Sequence, residues 1–159
     1  MNTPRPQETY YFRAVSVNVP VLNGHCVPLM PCVAKDGDTI TVWADRGEKD
    51  YSIRDLRIYA TDAPEIHSTN DLERQAGIAV RDWVQRWLNH AFEMKCRVVI
   101  ECREKPEKFG RWLGDILVDA VSLSGALITA GLVKEYHGEK KKPWTDAELM
   151  HIIEECHRT

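Results

Sequence analysis

The sequence predicts an α+β fold, mainly β, in which a small closed sheet carries about three helices. Five short segments have the two-residue apolar alternation or apolar content of strands, a long amphipathic helix is inserted after the third, and the C-terminal part is helical. These strands are predicted within residues 27–34, 39–44, 51–60, 96–103 and 112–118. At 159 residues the chain can form one domain with a full core. A five-stranded barrel of the OB type fits this order, although the pattern alone leaves other α+β folds open.

The N-terminal part is predicted to be an extension over residues 1–24 that adds one strand to a main domain of residues 25–159. The strand has an alternating apolar pattern, whose members are Tyr11, Val15, Val17, Val19 and Val21. Pro20 and the Asn23-Gly24 pair are expected to end it.

The third strand places a charged residue opposite an aliphatic face. Leu56, Ile58 and Ala60 share one side of the predicted strand. Because side chains alternate across a strand, Arg57 and Tyr59 project from the other side. If the aliphatic side is buried, Arg57 is available to a ligand.

The inserted helix is predicted from a capping pattern and an apolar stripe. Asn70 followed by Glu73 resembles a capping box, in which the first residue caps the helix and the second binds back to it. Apolar residues then recur at helical spacing from Leu72 to Leu88.

Two further helices are predicted in the C-terminal part. The first is short, follows Ser122 or Ser124, and stops at Gly131, because glycine is favoured just after a helix end. The second starts at Thr145, with Glu148 completing a capping box.

The composition limits the partners and the compartment. The net charge is −3 and the sequence pI is about 6.1, so a polyanionic partner would have to meet local positive charge, as in residues 103–111 and 134–142. No apolar stretch approaches the ~20 residues of a membrane-spanning helix, and residues 1–11 lack the basic and apolar regions of a signal peptide. The five cysteines are an odd number, which fits a reducing compartment. We therefore expect a cytoplasmic protein with no membrane association.

Three separated segments carry the residue types of a site that binds a cation and a phosphate. They are residues 35–39 (KDGDT), 56–65 (LRIYATDAPE) and 107–111 (EKFGR). Carboxylates are ligands for a hard cation such as Ca²⁺, and a guanidinium group can donate two parallel hydrogen bonds to phosphate oxygens. No single segment suffices, because Asp-Gly pairs are common in turns. The three together, in this order, resemble the staphylococcal nuclease (thermonuclease-like) family.

The resemblance is strongest over residues 28–137 and implies a five-stranded OB barrel with helices around it. It also implies a metal site. Asp38 and Asp62 match the family's two metal-binding aspartates, and the backbone carbonyl of Ala63 matches a further ligand. Ca²⁺ is the implied cofactor, with another divalent cation as the alternative. For each aspartate alone, a turn or cap role would be the commoner reading.

The resemblance also assigns the chemistry of the reaction. Glu65 matches the glutamate proposed as the general base that orients or deprotonates the attacking water. Arg57 and Arg111 match the two arginines that hold the phosphate. A guanidinium gives up a proton with difficulty, so Arg111 is expected to stabilise charge and not to act as a general acid. An exposed ion pair or a surface acid remains the structural alternative for each of these residues.

Three further residues are expected to contact the substrate. Lys108 and Phe109 occupy positions where the family has lysine and tyrosine, and Phe109 keeps a stacking face but lacks the hydroxyl donor. Tyr136 and the lysines that follow it are expected to flank the substrate. The inserted helix departs from the sequence motif that is frequent in the family at residues 75–79, which are QAGIA here.

The function implied by the resemblance is that of a metal-dependent endonuclease, with Ca²⁺ as the expected ion. It would hydrolyse phosphodiester bonds of DNA, with RNA as a second candidate substrate, and leave 3′-phosphate ends. The alternative is a non-catalytic OB-type module that binds nucleic acid or a partner. The complete set of acids and arginines favours the enzyme, and the acidic balance and the N-terminal strand favour the module.

Overall fold

The computed structural model describes residues 9–14, 17–20, 26–29, 31–103 and 110–158, which form a closed barrel with three helices. The strands are β1 Thr9–Ala14, β2 Val17–Pro20, β3 Cys26–Leu29, β4 Cys32–Asp36, β5 Thr39–Asp45, β6 Tyr51–Ile58, β7 Thr61–Asp62, β8 Val98–Arg103, β9 Trp112–Val118, β10 Val121–Ser122 and β11 Lys134–Glu135. The helices are α1 Asp71–Glu93, α2 Leu123–Thr129 and α3 Asp146–Arg158.

The barrel has five strands in the order β1-β8-β9-β6-β5, and pairing of β1 with β5 closes it. Strands β6 and β9 are parallel, and α1 lies between them in the chain, whereas the other neighbours in the barrel are antiparallel. The prediction of an α+β fold with an OB-type barrel is confirmed, with strands and helices in similar shares.

The first strand forms one wall of the barrel, although it falls within the predicted extension. Along β5, β4 pairs with residues 39–42, and β1 pairs with Ala44 and Asp45. The prediction of a single strand over residues 11–21 is wrong, because the described residues of this part form two strands: β1 joins the barrel, and β2 pairs with β3. Alternation reports which residues share a side, and it carries no information on the pairing partner. The domain division at residue 24 stays a prediction.

The predicted alternation in β5 and β6 is confirmed by burial. Ile40, Val42, Leu56 and Ile58 are all buried in the core. Ala60 does not share this face as predicted, because β6 ends at Ile58 and Ala60 lies in the following turn with a φ of 59°. A positive φ is rare outside glycine and is not visible in an apolar alternation.

Helix α1 begins at the predicted cap. The side chain of Asn70 accepts hydrogen bonds from the N–H groups of Leu72 and Glu73 at 2.9 and 3.1 Å. The helix then packs its apolar stripe, including Val80 and Leu88, into the core between β4 and α3. It extends beyond the predicted stripe to Glu93.

The C-terminal helices also follow their capping signals. Ser122 is the cap of α2 and accepts from the N–H of Gly125 at 3.1 Å, and Gly131, with a φ of 70°, follows the helix end. Thr145 and Glu148 form a reciprocal capping box at the start of α3, with distances of 2.8 and 3.2 Å. None of the three described helices combines the length and the apolar character that crossing a bilayer requires.

Candidate active site

Asp38 lies in the turn between β4 and β5 and joins this turn to the segment after β7. Its N–H donates to Asp36 Oδ1 at 3.0 Å, and its Oδ2 accepts from the N–H of Ala63 at 2.9 Å. A Cβ at Gly37 would come within 2.8 Å of Ala63 Cβ and 2.6 Å of Val80 Cγ1. Glycine is therefore needed before Asp38, because a side chain there would keep the turn from approaching both the segment after β7 and helix α1.

Arg57 is buried beside Asp38, on the side of β6 that the alternation predicts. Its Nη1 lies 2.9 Å from Asp38 Oδ2, and its Nη2 donates to the carbonyl of Thr61 at 2.7 Å. Only 8% of the residue is exposed. The guanidinium therefore binds acceptors of the protein itself in this arrangement.

Opposing effects set the charge of Asp38. Burial raises the pKa of its carboxyl to about 7, although the Arg57 guanidinium and the Ala63 N–H favour the charged form. The nearby Asp36 carboxylate adds to the rise. The ionisation of Asp38 therefore depends directly on Arg57.

Asp62 is the second acid of the site, and the ammonium of Lys141 lies against it. Strand β7 carries Asp62 and pairs with β11, which places Asp62 opposite Lys134. Lys141 Nζ is 2.8 Å from Asp62 Oδ1 and 3.6 Å from Glu65 Oε1. Partial burial disfavours the charged form of Lys141, but the carboxylates of Asp62, Glu65 and Asp38 outweigh this and raise its pKa. Lys141 thus bridges the second acid and the predicted general base.

The loop that carries Glu65 is held by Glu73 of α1. Glu73 accepts hydrogen bonds from Ser68 Oγ at 2.6 Å and from the N–H of Glu65 at 3.4 Å. The predicted capping box therefore differs in detail, because the Ser68 hydroxyl, and not Glu73, accepts from the N–H of Asn70, at 3.2 Å. Glu73 positions the loop while the Glu65 side chain itself is 59% exposed.

Arg111 lines a cleft next to the turn that carries Asp38. Its Nη1 donates to Thr39 Oγ1 at 3.4 Å, and Thr39 follows Asp38 in the chain. The cleft has a volume of about 420 Å³. It is lined by Lys35, Asp36, Thr39, Asp55, Ile66, His67 and Arg111. Positive and hydroxyl groups of this kind can donate to an anionic ligand.

Tyr136 lies beside Asp62 and Lys141. Its N–H donates to the carbonyl of Ala60 at 3.0 Å, and its ring centre is 5.8 Å from Lys141 Nζ. It borders a second cleft of about 340 Å³. That cleft is lined by Asp62, Lys134, Glu135, Tyr136, Glu139, Lys140, Lys142 and Glu148. Lysines and an aromatic ring therefore flank the second acid.

The predicted side chains form one connected group and two flanking positions. In the connected group, Asp38 binds Arg57 and the N–H of Ala63, and Lys141 bridges Asp62, which precedes Ala63, and Glu65. Arg111 and Tyr136 line the two clefts. Lys108 and Phe109 lie outside the described residues.

Sequence reasoning placed Lys141 only among the lysines that follow Tyr136, without its contact with the acids, and it missed Glu73 as a member of the site. The only signal for Lys141 was its place in a lysine run after Tyr136, which does not distinguish it from its neighbours. Glu73 was recognised as a helix-start residue, and its spacing from the cap gave no hint that its carboxylate binds the loop at Glu65.

The oxygen atoms available at this site are of the chemical type that binds a hard cation. Asp38, Asp62 and the carbonyl of Ala63 offer oxygen atoms, which Ca²⁺ prefers, and the Asp38–Ala63 hydrogen bond brings their segments together. Within the described ranges, no cluster of three or more His, Cys, Asp or Glu side chains has the arrangement of a metal site. In the part of the chain that the structure describes, Arg57 forms an ion pair with Asp38 and Lys141 forms one with Asp62.

The chain matches no protein-family model and no curated protein. The likeness to the staphylococcal nuclease family therefore rests on the motif residues described above.

Proposed function

We propose that this protein is a phosphodiesterase, an endonuclease of the staphylococcal nuclease type that acts on DNA, with RNA as a second candidate substrate. The observation that carries the proposal is that Asp38, paired with the buried Arg57, binds the N–H of Ala63, the residue after Asp62, and that Asp62 and Glu65 share the ammonium of Lys141. Arg57 and the N–H of Ala63 contact Asp38 directly, whereas Asp62 and Glu65 are joined through the ammonium of Lys141.

The proposed cofactor is a divalent cation, Ca²⁺ in the first instance. Asp38, Asp62 and the Ala63 carbonyl would hold it, and when bound it supplies positive charge that stabilises a phosphate undergoing attack. The Ala63 N–H and Arg57 position the Asp38 carboxylate for this task.

Glu65 is the proposed general base. Its carboxylate is exposed, so water can reach it, while its backbone is held by Glu73. A glutamate is a weak base at neutral pH, and its contribution therefore depends on holding the attacking water in line with the leaving oxygen.

Arg57 and Arg111 are the proposed phosphate-binding residues. Arg111 lines the open cleft beside Thr39 and can donate to a phosphate oxygen there. Arg57 is buried, so a direct contact requires that the phosphate replace one of its internal acceptors, such as the Thr61 carbonyl. Both guanidinium groups would stabilise negative charge in the transition state.

The second candidate is a module that binds nucleic acid without cleaving it. The observation in its favour is that each acid already has an internal cation, Arg57 at Asp38 and Lys141 at Asp62. Lysines around the second cleft would serve binding equally well.

Cleavage assays separate the two candidates. Single-stranded and duplex DNA are incubated with the protein and millimolar Ca²⁺, with and without a chelator. The enzyme proposal expects cleavage that the chelator abolishes and that Glu65→Gln reduces by roughly 100-fold or more, the usual contribution of a general base. Glu93→Gln, an exposed glutamate at the end of α1, is the matched control and should retain full activity.

Two outcomes would contradict the enzyme. One is cleavage that is unaffected by the chelator and by Glu65→Gln. The other is DNA binding with no cleavage under any of these conditions, which would support the binding module.

A further inference from the structure

We propose that Lys141 is a built-in competitor of the divalent cation: its ammonium occupies the position between Asp62 and Glu65, and the ion must displace it to bind. The inference rests on the proposed function, because that function supplies the ion and its ligands. It adds a regulatory contact to the same site.

The ammonium of Lys141 lies close to the carboxylates of both Asp62 and Glu65. Lys141 Nζ lies 2.8 Å from Asp62 Oδ1 and 3.6 Å from Glu65 Oε1. A Ca²⁺ ion binds carboxylate oxygen at about 2.3–2.6 Å. An ion on the same oxygen of Asp62 would therefore meet the ammonium at close range, and two positive charges at that separation repel each other strongly. The ammonium of Lys141 and an ion on Asp62 Oδ1 therefore exclude each other.

The loop that carries Lys141 is attached beside Asp62 at both of its ends. Strand β11 precedes the loop and pairs with β7, with Lys134 opposite Asp62. The far end of the loop is held by Lys134 Nζ, which donates to the carbonyl of Pro143 at 3.0 Å. Both ends of the loop are thus attached to the β7–β11 pair that carries Asp62. This attachment keeps the effective concentration of the Lys141 ammonium at Asp62 high.

The side chain of Lys141 can nevertheless leave. It is 49% exposed, whereas the Asp62 side chain is only 6% exposed. Rotation of the lysine stem toward solvent removes the ammonium without breaking a backbone hydrogen bond of the loop. The acid stays in place, and its charge is then open to another cation.

The expected consequence is a site that binds Ca²⁺ more weakly than its donor set would otherwise allow. Among the described residues, Asp38 pairs with Arg57 and Asp62 with Lys141; the Lys141 side chain is half exposed, whereas Arg57 is buried with bonds to Asp38 and Thr61. Removal of the Lys141 charge should therefore tighten Ca²⁺ binding, whereas removal of a neighbouring lysine should not.

The test is Ca²⁺ binding to the full chain, measured by titration calorimetry and by the shift in Tm that saturating Ca²⁺ produces. Lys141→Met removes the charge and keeps an apolar stem. Lys142→Met makes the same change in net charge on the same loop, at a residue that lines the cleft beside Asp62. Lys141→Arg retains a competing cation.

We expect Lys141→Met to bind Ca²⁺ about tenfold more tightly than the unmodified protein, as loss of an ion pair with the buried Asp62 carboxylate would allow. Lys142→Met and Lys141→Arg should stay within about threefold of the unmodified protein. Equal affinities for Lys141→Met and Lys142→Met, weaker binding by Lys141→Met, or no Ca²⁺ binding by any variant would overturn the proposal.

The outcome is separable from that of the enzyme proposal. Tighter Ca²⁺ binding by Lys141→Met with no DNA cleavage by any variant would support the competition and contradict the nuclease. Ca²⁺-dependent cleavage with equal Ca²⁺ affinity in all variants would support the nuclease and contradict the competition.

Discussion

Arg57 Nη1 lies 2.9 Å from Asp38 Oδ2, and both side chains are buried where β5 and β6 meet the loop after β7. The same Asp38 oxygen accepts from the N–H of Ala63, and Arg57 also donates to the carbonyl of Thr61. The pair therefore links the two segments that carry the acids of the site. A buried pair of this kind contributes little net stability, but breaking it leaves a buried charge without a partner.

The first prediction concerns Arg57→Met, which should lower the free energy of unfolding by about 3–5 kcal/mol at pH 8, because it leaves a buried, unpaired Asp38 carboxylate. The loss should be smaller at pH 5. Burial already raises the folded-state pKa of Asp38 to about 7, and Arg57 is the largest influence that lowers it, so the variant's Asp38 pKa lies higher still.

The sign follows from proton binding. At pH values between the ordinary pKa of an aspartate, near ~4, and the raised folded-state pKa, Asp38 keeps its proton in the folded state and loses it in the unfolded state. Stability therefore falls as the pH rises through the folded-state pKa. Urea unfolding at pH 5 and pH 8 measures the difference. Asp38→Asn combined with Arg57→Met is the control and should lack this pH dependence, and an equal loss at both pH values in Arg57→Met would contradict the account.

The second prediction concerns Gln85, whose side-chain amide forms hydrogen bonds with backbone groups of β4. Gln85 Oε1 accepts from the N–H of Ala34 at 2.8 Å, and Gln85 Nε2 donates to the carbonyl of Cys32 at 3.2 Å. Gln85→Leu leaves two partly buried backbone groups without these partners and should cost about 1–3 kcal/mol. Gln75→Leu, an exposed position on the same helix, is the matched control, and thermal unfolding compares them. Equal stability of the two variants would show that β4 does not need the amide.

The sequence predicted best those features that depend on neighbouring residues. The capping residues Asn70, Ser122 and Thr145 mark real helix starts, because a cap binds N–H groups two or three residues away. The alternation that buries Leu56 and sends Arg57 to the other side is likewise local, since it follows from strand geometry alone.

Features that depend on distant pairing were not predictable in the same way. The closure of the barrel by β1 depends on pairing with both β5 and β8, which an alternating pattern does not encode. Lys141 reaches Asp62 only because β11 pairs with β7 and brings its loop there. Adjacent lysines in the run have the same composition and different surroundings, so the sequence offered no reason to select one.

The last prediction concerns Gly77, which lets α1 approach the segment that carries Glu65. A Cβ at this position would lie 2.7 Å from the carbonyl oxygen of Pro64 and 2.9 Å from the backbone nitrogen of Ile66. Both are backbone atoms, so the contact cannot be relieved by rotating a side chain. In an open helix interior, Gly→Ala usually stabilises by about 1 kcal/mol. Here the sign should reverse, with Gly77→Ala losing about 1–3 kcal/mol through overpacking.

The displaced segment should carry Glu65 away from Lys141, which would raise the exchange rate of the backbone amides at residues 65–68 in hydrogen-exchange measurements. The control is Ile78→Ala, at an exposed residue that follows Gly77 in the helix. It tests whether any substitution in this part of α1 has the same effect. We expect it to leave both the stability and the amide exchange rates nearly unchanged. A Gly77→Ala variant that is more stable than the unmodified protein would mean that helix propensity outweighs the contact. Loop and helix would then be free to separate without cost, and Gly77 would have no part in positioning Glu65.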